Sequence, residues 1–151
     1  SMIFVIAIGG KLFVNFIALT GMATEITQWI NTSGVSVMAV MALIVVLYIF
    51  LGMFLDPIGI ILLTLPLTIP IVEAFGFSLI WFGVVVIKLL EIGLVTPPIG
   101  LNVFVIKSIV GNKISLEAIF GGVAWFLLAE MFVLAAILGI PALSLYLTMF
   151  I

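Results

Sequence analysis

The stretch that decides the fold reads GLVTPPIGLNVFV and covers residues 93–105. It lies inside an apolar region, and the residues on its two sides, 78–95 and 103–110, have the composition of membrane helix. Two adjacent prolines remove two amide donors and push the residue before them out of helical geometry. The pattern therefore predicts a helix that is broken inside the membrane at residues 96–102.

A second interruption reads GMFLDPIG at residues 52–59. The apolar run that follows it, residues 58–72, is too short for a comfortable crossing of the bilayer. We predict a re-entrant helical hairpin, with one helix ending near Gly52 and a polar corner at Asp56. Such a turn is tolerated in a membrane only where it is buried in protein or lines a watery cavity. The prolines that favour this turn are Pro57, which would start the second helix, and Pro66 and Pro70.

Composition places the whole chain in a lipid bilayer. Of its 151 residues, 67% are apolar and 7% are charged, and the mean hydropathy is +1.67. Soluble domains are about 45–50% apolar and about 25% charged. We predict an all-α integral membrane protein, with residues 1–151 forming a single membrane domain.

The charged and metal-binding residue types exclude several functions. Four Lys, no Arg and a net charge of -2 give no basic surface for nucleic acid, so nucleic acid is excluded as a partner. The chain has no Cys and no His, which removes the usual zinc, iron-sulfur and haem ligands and the common nucleophile pairs. We therefore predict that the protein is not an enzyme.

The remaining apolar runs complete the topology. We predict a spanning helix over residues 2–22, an interfacial segment over residues 24–34, and a crossing with a tail over residues 118–151. The polar turn that carries Lys107 and Lys113 is the best candidate for a cytoplasmic loop under the positive-inside rule.

The first candidate site residue is Asp56, the only Asp in the chain. An ionisable side chain in an apolar segment suggests a functional role, because burying it without a partner costs several kcal/mol. Asp followed by Pro is also a favoured start for a helix, as N-cap and first helical residue. Both interpretations stay open, and one residue can fill both roles.

The broken helix supplies the second candidate site. Carbonyl groups freed by the prolines, the Thr96 hydroxyl and the Asn102 amide place neutral oxygens together, which suit a hard monovalent cation. The exposed amides at the start of the second half-helix would attract an anion. The alternative is a proline kink that only shapes packing.

Five further acidic residues and one lysine lie within or near the predicted helices. Lys88 and Glu91 are three residues apart on one helical face, which favours a structural ion pair. Glu130 stands alone in its helix and could face the bundle interior, pair with a lysine or relay a proton. The acidic side chains near predicted helix ends, which we expect to reach water, are Glu25, Glu73 and Glu117.

At these elements the chain resembles the large membrane subunit of tripartite ATP-independent periplasmic (TRAP) transporters, the DctM-type subunit of the ion transporter superfamily. The resemblance extends over nearly the whole chain. It rests above all on residues 93–105, together with residues 52–57, Pro66 and Pro70, and the aromatic-glycine stretches at 75–77 and 81–83. Members of that family are longer inverted repeats, so the chain resembles their second half, which favours a fragment or a split gene.

The resemblance implies a sodium-driven secondary transporter of the bacterial inner membrane that moves as an elevator. It would import small organic acids such as C4-dicarboxylates or sialic acid. Its implied partners are a soluble periplasmic binding protein and a small four-helix membrane subunit. The alternatives are a non-transporting membrane scaffold and a fragment of a related ion-coupled transporter.

The resemblance also implies roles for the two candidate elements. Sodium would be held, mainly by backbone oxygens, at Thr96, Pro97 and Gly100. Substrate would be contacted by Gly52, Asp56, Pro98 and Asn102.

Overall fold

The computed structural model describes residues 2–146, and the elements within that range are helices joined by short turns. This confirms the predicted all-α fold. The helices are α1 (Met2–Thr20), α2 (Met22–Ser33), α3 (Val37–Gly52), α4 (Pro57–Ala74), α5 (Leu79–Val95), α6 (Leu101–Val110), α7 (Leu116–Gly139) and α8 (Ala142–Leu145), with a 3₁₀ turn at Gly111–Lys113.

Two helices in the described part of the chain, α4 and α7, are long and apolar enough to cross a membrane. A third span is possible if α1 and α2 are taken together, although they are bent by 59°. The bend falls at Gly21, whose φ of 68° lies in the left-handed region that glycine adopts without steric cost. The predicted span and interfacial segment are therefore helices that meet at an angle.

Helices α3 and α4 form the predicted hairpin, with a short turn between Gly52 and Pro57. The second arm differs from the prediction, because α4 is 18 residues long and continues through Pro66 and Pro70. The prediction that this run is too short to cross the bilayer was therefore wrong, because α4 is long enough to do so. Each proline removes a single amide donor, and membrane helices tolerate this where neighbouring groups and packing compensate for it.

The core is centred on α5, which packs against α3 on one side and α7 on the other. Its inward side chains are large and almost fully buried, including Trp81 and Phe82. The Trp81 indole Nε1 donates a hydrogen bond to the Ile137 carbonyl of α7 at 2.8 Å, so its polar atom is satisfied within the core. This packing fixes the position of the helix that leads into the predicted break.

The broken helix is confirmed, with α5 ending at Val95 and α6 beginning at Leu101. The interruption is shorter than predicted, since Asn102 already belongs to the first turn of α6. Gly100 has a φ of 55°, and its carbonyl accepts hydrogen bonds from the amides of Val103 and Phe104. A left-handed glycine therefore restarts the helix two residues earlier than the sequence pattern indicated.

The last crossing is also confirmed, as α7 (Leu116–Gly139), and residues 147–151 of the predicted tail lie outside the described residues. In the turn before α7, Lys107 Nζ donates to the carbonyls of Gly111 and Ile114 at 2.7 and 2.6 Å. This lysine therefore caps the end of α6 as well as marking the predicted cytoplasmic loop.

Candidate functional site at the hairpin tip and the helix break

The hairpin tip and the broken helix meet at two glycines, Gly52 at the end of α3 and Gly93 near the end of α5. A Cβ atom added to Gly52 would lie 2.7 Å from the Gly93 Cα, and one added to Gly93 would lie 2.6 Å from the Gly52 Cα. Both residues are buried. The two backbones therefore touch, and the contact holds the tip one turn before the break.

Asp56 closes the start of α4. Its carboxylate Oδ2 accepts a hydrogen bond from the Gly59 amide at 3.0 Å, and Pro57 occupies the first position of the helix. The N-cap interpretation is thus confirmed. The half-buried carboxylate also lines a cavity of about 280 Å³, whose opposite wall includes Gly9 and Gly10 of α1.

The break leaves backbone oxygens without donors at the end of α5. Pro98 cannot donate to the Leu94 carbonyl, and in the described chain no amide reaches the carbonyls of Leu94 or Val95. The Thr96 hydroxyl donates to the Ile92 carbonyl at 2.5 Å. The Thr96 oxygen keeps its lone pairs, so three oxygens remain available as acceptors or ligands at consecutive residues.

On the other side of the break, α6 begins with unpaired donors. Within the described residues, the amides of Leu101 and Asn102 have no hydrogen-bond acceptor, and the Asn102 side chain is exposed. Pro97 and Pro98 are exposed too. Gly100 is buried, because the Phe120 ring of α7 covers it; an added Cβ atom would lie 3.1 Å from that ring.

The predicted site residues therefore form two groups. Thr96, Pro97, Pro98, Gly100 and Asn102 lie together at the break, and Gly52 is joined to their helix through Gly93. Asp56 faces α1 instead, and in the described chain no hydrogen bond or ion pair joins it to the break.

A model of the family described as "Tripartite ATP-independent periplasmic transporter, DctM component" matches residues 1–143. The chain belongs to the DctM family. This confirms the resemblance that the sequence motifs carried. The DctM-family relatives of this chain are permeases, and the described chain has the apolar, membrane-spanning helix lengths of a multi-pass membrane protein.

Three relatives show the range of this similarity. The chain is 30% identical over 144 residues to the C4-dicarboxylate TRAP transporter large permease protein DctM of Pseudomonas aeruginosa, covering 95% of this chain and 33% of that protein. It is 39% identical over 106 residues to the sialic acid TRAP transporter permease protein SiaT of Haemophilus influenzae, covering 70% of this chain and 17% of that protein. It is 30% identical over 114 residues to the isethionate TRAP transporter permease protein DctMQ of Oleidesulfovibrio alaskensis, covering 76% of this chain and 18% of that protein.

The chain spans about a third of the length of the two DctM permeases that it matches over most of its own length. No solved structure matches it.

Inside the hairpin of this DctM-family chain, the side chains of Tyr48, Thr64 and Thr68 form a hydrogen-bonded cluster. The sequence analysis did not predict this cluster. Tyr48 is fully buried on α3, and its hydroxyl lies 2.6 Å from the Thr64 hydroxyl and 3.3 Å from that of Thr68. Both threonine hydroxyls donate hydrogen bonds to backbone carbonyls in the preceding turn of α4. The four-residue spacing of the threonines was the available signal, since it places both on one face of a helix.

Three side chains form an ion-pair cluster between α5 and α7. Lys88 Nζ lies 2.7 Å from Glu91 Oε2, which confirms the predicted pair, and 2.5 Å from Glu130 Oε2. Of the three roles left open for Glu130, the structure supports pairing with a lysine. The pairing could not be predicted because it joins helices about forty residues apart in the sequence. Glu25, Glu73 and Glu117 are exposed, as expected.

Proposed function

We propose that this chain forms one half of the substrate and ion site of a sodium-coupled, binding-protein-dependent importer of small organic acids. C4-dicarboxylates, sialic acid and isethionate appear in the names of its relatives, and all three substrates are acids. The chain itself does not select among them.

The observation that supports the proposal most strongly is the pairing of a helix break with a hairpin tip. Short interrupted segments near the centre of a transporter are where substrate and coupling-ion sites are built. Here the carbonyls of Leu94 and Val95 lack donors, and the Gly52–Gly93 contact places the tip beside them. A helix that only needed to bend would not require both features together.

Sodium would bind at Thr96, Pro97 and Gly100. The backbone oxygens of Thr96 and Pro97 and the Thr96 hydroxyl are neutral, and neutral oxygens at an unwound helix suit Na+. The Gly100 carbonyl already accepts from the Val103 and Phe104 amides, so Gly100 would shape the turn around the ion. The freed carbonyls that precede Thr96 would complete the ligand set. The residues present therefore fit a monovalent cation, and the bound ion would supply positive charge beside the substrate.

The acid would bind next to the ion, at Gly52, Pro98 and Asn102. The unpaired amides at the start of α6 attract a carboxylate, because they carry the positive end of the helix dipole. The Asn102 amide can donate a further hydrogen bond. Asp56 would act from the tip, through its carboxylate and the cavity it lines.

The complete transporter would lie in the bacterial inner membrane. We propose a small four-helix membrane subunit as its stable partner and a periplasmic binding protein as the source of substrate. The hairpin and the broken helix would move across the membrane as one body, since the two glycines lock them together.

Uptake into proteoliposomes tests the proposal. The full-length transporter that contains this chain is reconstituted with its membrane partner, and its binding protein is added outside with labelled succinate, sialic acid or isethionate. We expect uptake of one acid that requires both the binding protein and an inward sodium gradient. Uptake that is unchanged without sodium, from a folded complex, would overturn the coupling.

The same assay separates a transporter from a scaffold. Thr96→Val removes one proposed ligand and keeps the side-chain volume, so it should abolish sodium-dependent uptake while the complex still assembles. A scaffold would assemble equally well and would show no sodium-dependent uptake with either residue.

A further inference from the structure

The ion-pair cluster of Lys88, Glu91 and Glu130 lies deep within the helices that hold it. Glu130 is about 21 Å along the α7 axis from Leu116 and about 13 Å from Gly139, at 1.5 Å per residue. Lys88 and Glu91 lie in the second half of α5. At this depth water cannot be relied on to solvate a charge.

The charges in this cluster do not cancel. An ammonium group has three donors, so Lys88 can contact both carboxylates, but it neutralises only one of their two charges. With all three groups ionised, the cluster carries a formal charge of -1. A net charge in a membrane needs a further partner.

Glu91 is the exposed member of this cluster, and Lys88 donates a hydrogen bond to it. Its side chain is 55% exposed, whereas those of Lys88 and Glu130 are 20% and 15% exposed. The neighbour one turn before it, Ile87, is 57% exposed and apolar. The described chain thus presents, beside an apolar side chain, a carboxylate whose partner Lys88 is shared with Glu130.

We propose that this face of α5, centred on Glu91 and Ile87, docks a membrane helix that carries a Lys or Arg side chain. The helix would come from a part of the transporter outside these 151 residues, since the chain spans only about a third of its DctM relatives. The basic group would neutralise the surplus charge, and its aliphatic stem would pack on Ile87.

Other occupants fit the face less well. A second copy of this chain in a two-fold contact would bring Glu91 against Glu91, and like charges repel. Lipid headgroups lie at the bilayer surface, far from the middle of α7. A free cation needs several oxygen ligands and would be repelled by the Lys88 ammonium, which already contacts Glu91.

Cross-linking tests the docking without disturbing the charge. Benzoylphenylalanine replaces Ile87 in the full-length complex, which is irradiated in membranes and analysed by mass spectrometry. We expect cross-links to a membrane helix outside residues 1–151 with a Lys or Arg within about one turn of the linked residue. Cross-links to lipid alone would overturn the proposal.

Stability of the complex gives a second test. Glu91→Gln should lower the melting temperature of the complex by about 5 °C or more, because the basic partner is left unpaired in the membrane. Glu117→Gln, an exposed glutamate at a helix end, is the matched control and should leave it unchanged. A Glu91→Gln complex as stable as the control would overturn the proposal.

If the Glu91→Gln complex does not assemble, exchanging the two charges tests the pairing instead. Glu91→Lys combined with Glu in place of the cross-linked basic residue should restore assembly that each single change removes. A double variant no better than the single ones would contradict the pairing. This inference needs only the membrane location of the chain, so its failure would leave the sodium proposal standing.

Discussion

The hairpin tip and the helix break interrupt helices in the same membrane but start the following helix in different ways. At the tip, Asp56 caps α4 and Pro57 takes the position where an amide would have no partner. At the break, no side chain caps α6, and oxygens and amides remain unpaired on both sides. The start of α4 is therefore capped by a side chain of the chain itself, whereas the start of α6 has no such cap.

This difference predicts different effects of substitution at the tip and at the break. A buried, unpaired backbone group costs free energy comparable to a lost hydrogen bond, so it persists where something else satisfies it. At the tip, the Asp56 carboxylate satisfies the Gly59 amide within the chain itself. Changes at the tip should therefore reduce stability first, and changes at the break should reduce binding first.

The largest effect is expected where the two regions touch. Gly52→Ala and Gly93→Ala each place a methyl group against backbone that cannot rotate away, so each should lower the free energy of unfolding by about 1–3 kcal/mol or more. Gly83→Ala, on the same helix with open space around it, is the control and should be neutral or stabilising. Denaturation of the purified full-length protein measures this; equal stability of all three variants would refute the contact.

The hairpin stem should give the next largest effect. Tyr48→Phe leaves the buried Thr64 and Thr68 hydroxyls without their cross-helix partner and should cost about 1–2 kcal/mol. Thr64→Val combined with Tyr48→Phe should cost less than the sum of the two single changes, because the pair is removed together. Additive losses in unfolding experiments would argue against the hydrogen bond.

Two substitutions at Asp56 separate its cap from its charge. Asp56→Ala removes the cap and should cost about 1 kcal/mol of stability, whereas Asp56→Asn keeps a capping oxygen and should cost little. If the carboxylate also acts on the substrate or ion, Asp56→Asn should reduce uptake despite its stability. Normal uptake by Asp56→Asn would leave Asp56 as a cap alone.

The smallest effect on stability is expected at the break. Asn102 is exposed and its side chain makes no hydrogen bond within the described chain, so Asn102→Leu should change stability by no more than about 0.5 kcal/mol. The same change should greatly reduce uptake, because the proposed donor to the substrate is lost. Uptake at the normal level in Asn102→Leu would remove this residue from the substrate site.

The sequence predicted the features that local chemistry determines. Adjacent prolines stop a helix in any surroundings, and Asp before Pro starts one, so the break and the tip were both predictable. The length of α4 was not, because tolerance of Pro66 and Pro70 depends on tertiary packing. The exact end of the break was missed for a similar reason, since Gly100 restarts the helix under the Phe120 ring.

Contacts between helices could not be predicted from the sequence. Gly52 and Gly93 lie about forty residues apart and follow no motif that pairs them, and Glu130 could be assigned to Lys88 only once α5 and α7 were placed together. The position of Asp56 against Gly9 and Gly10 depends on how α1 packs on the hairpin. Such contacts are set by the fold as a whole.

Sodium-dependent thermal stability tests the central claim most directly. A ligand that binds the folded state raises its melting temperature with concentration, so Na+ should stabilise the full-length protein relative to K+. Thr96→Val should abolish this shift, whereas Thr27→Val, which removes an equivalent hydroxyl-to-carbonyl bond within α2, should retain it. A sodium shift that survives in Thr96→Val would contradict an ion site at the break.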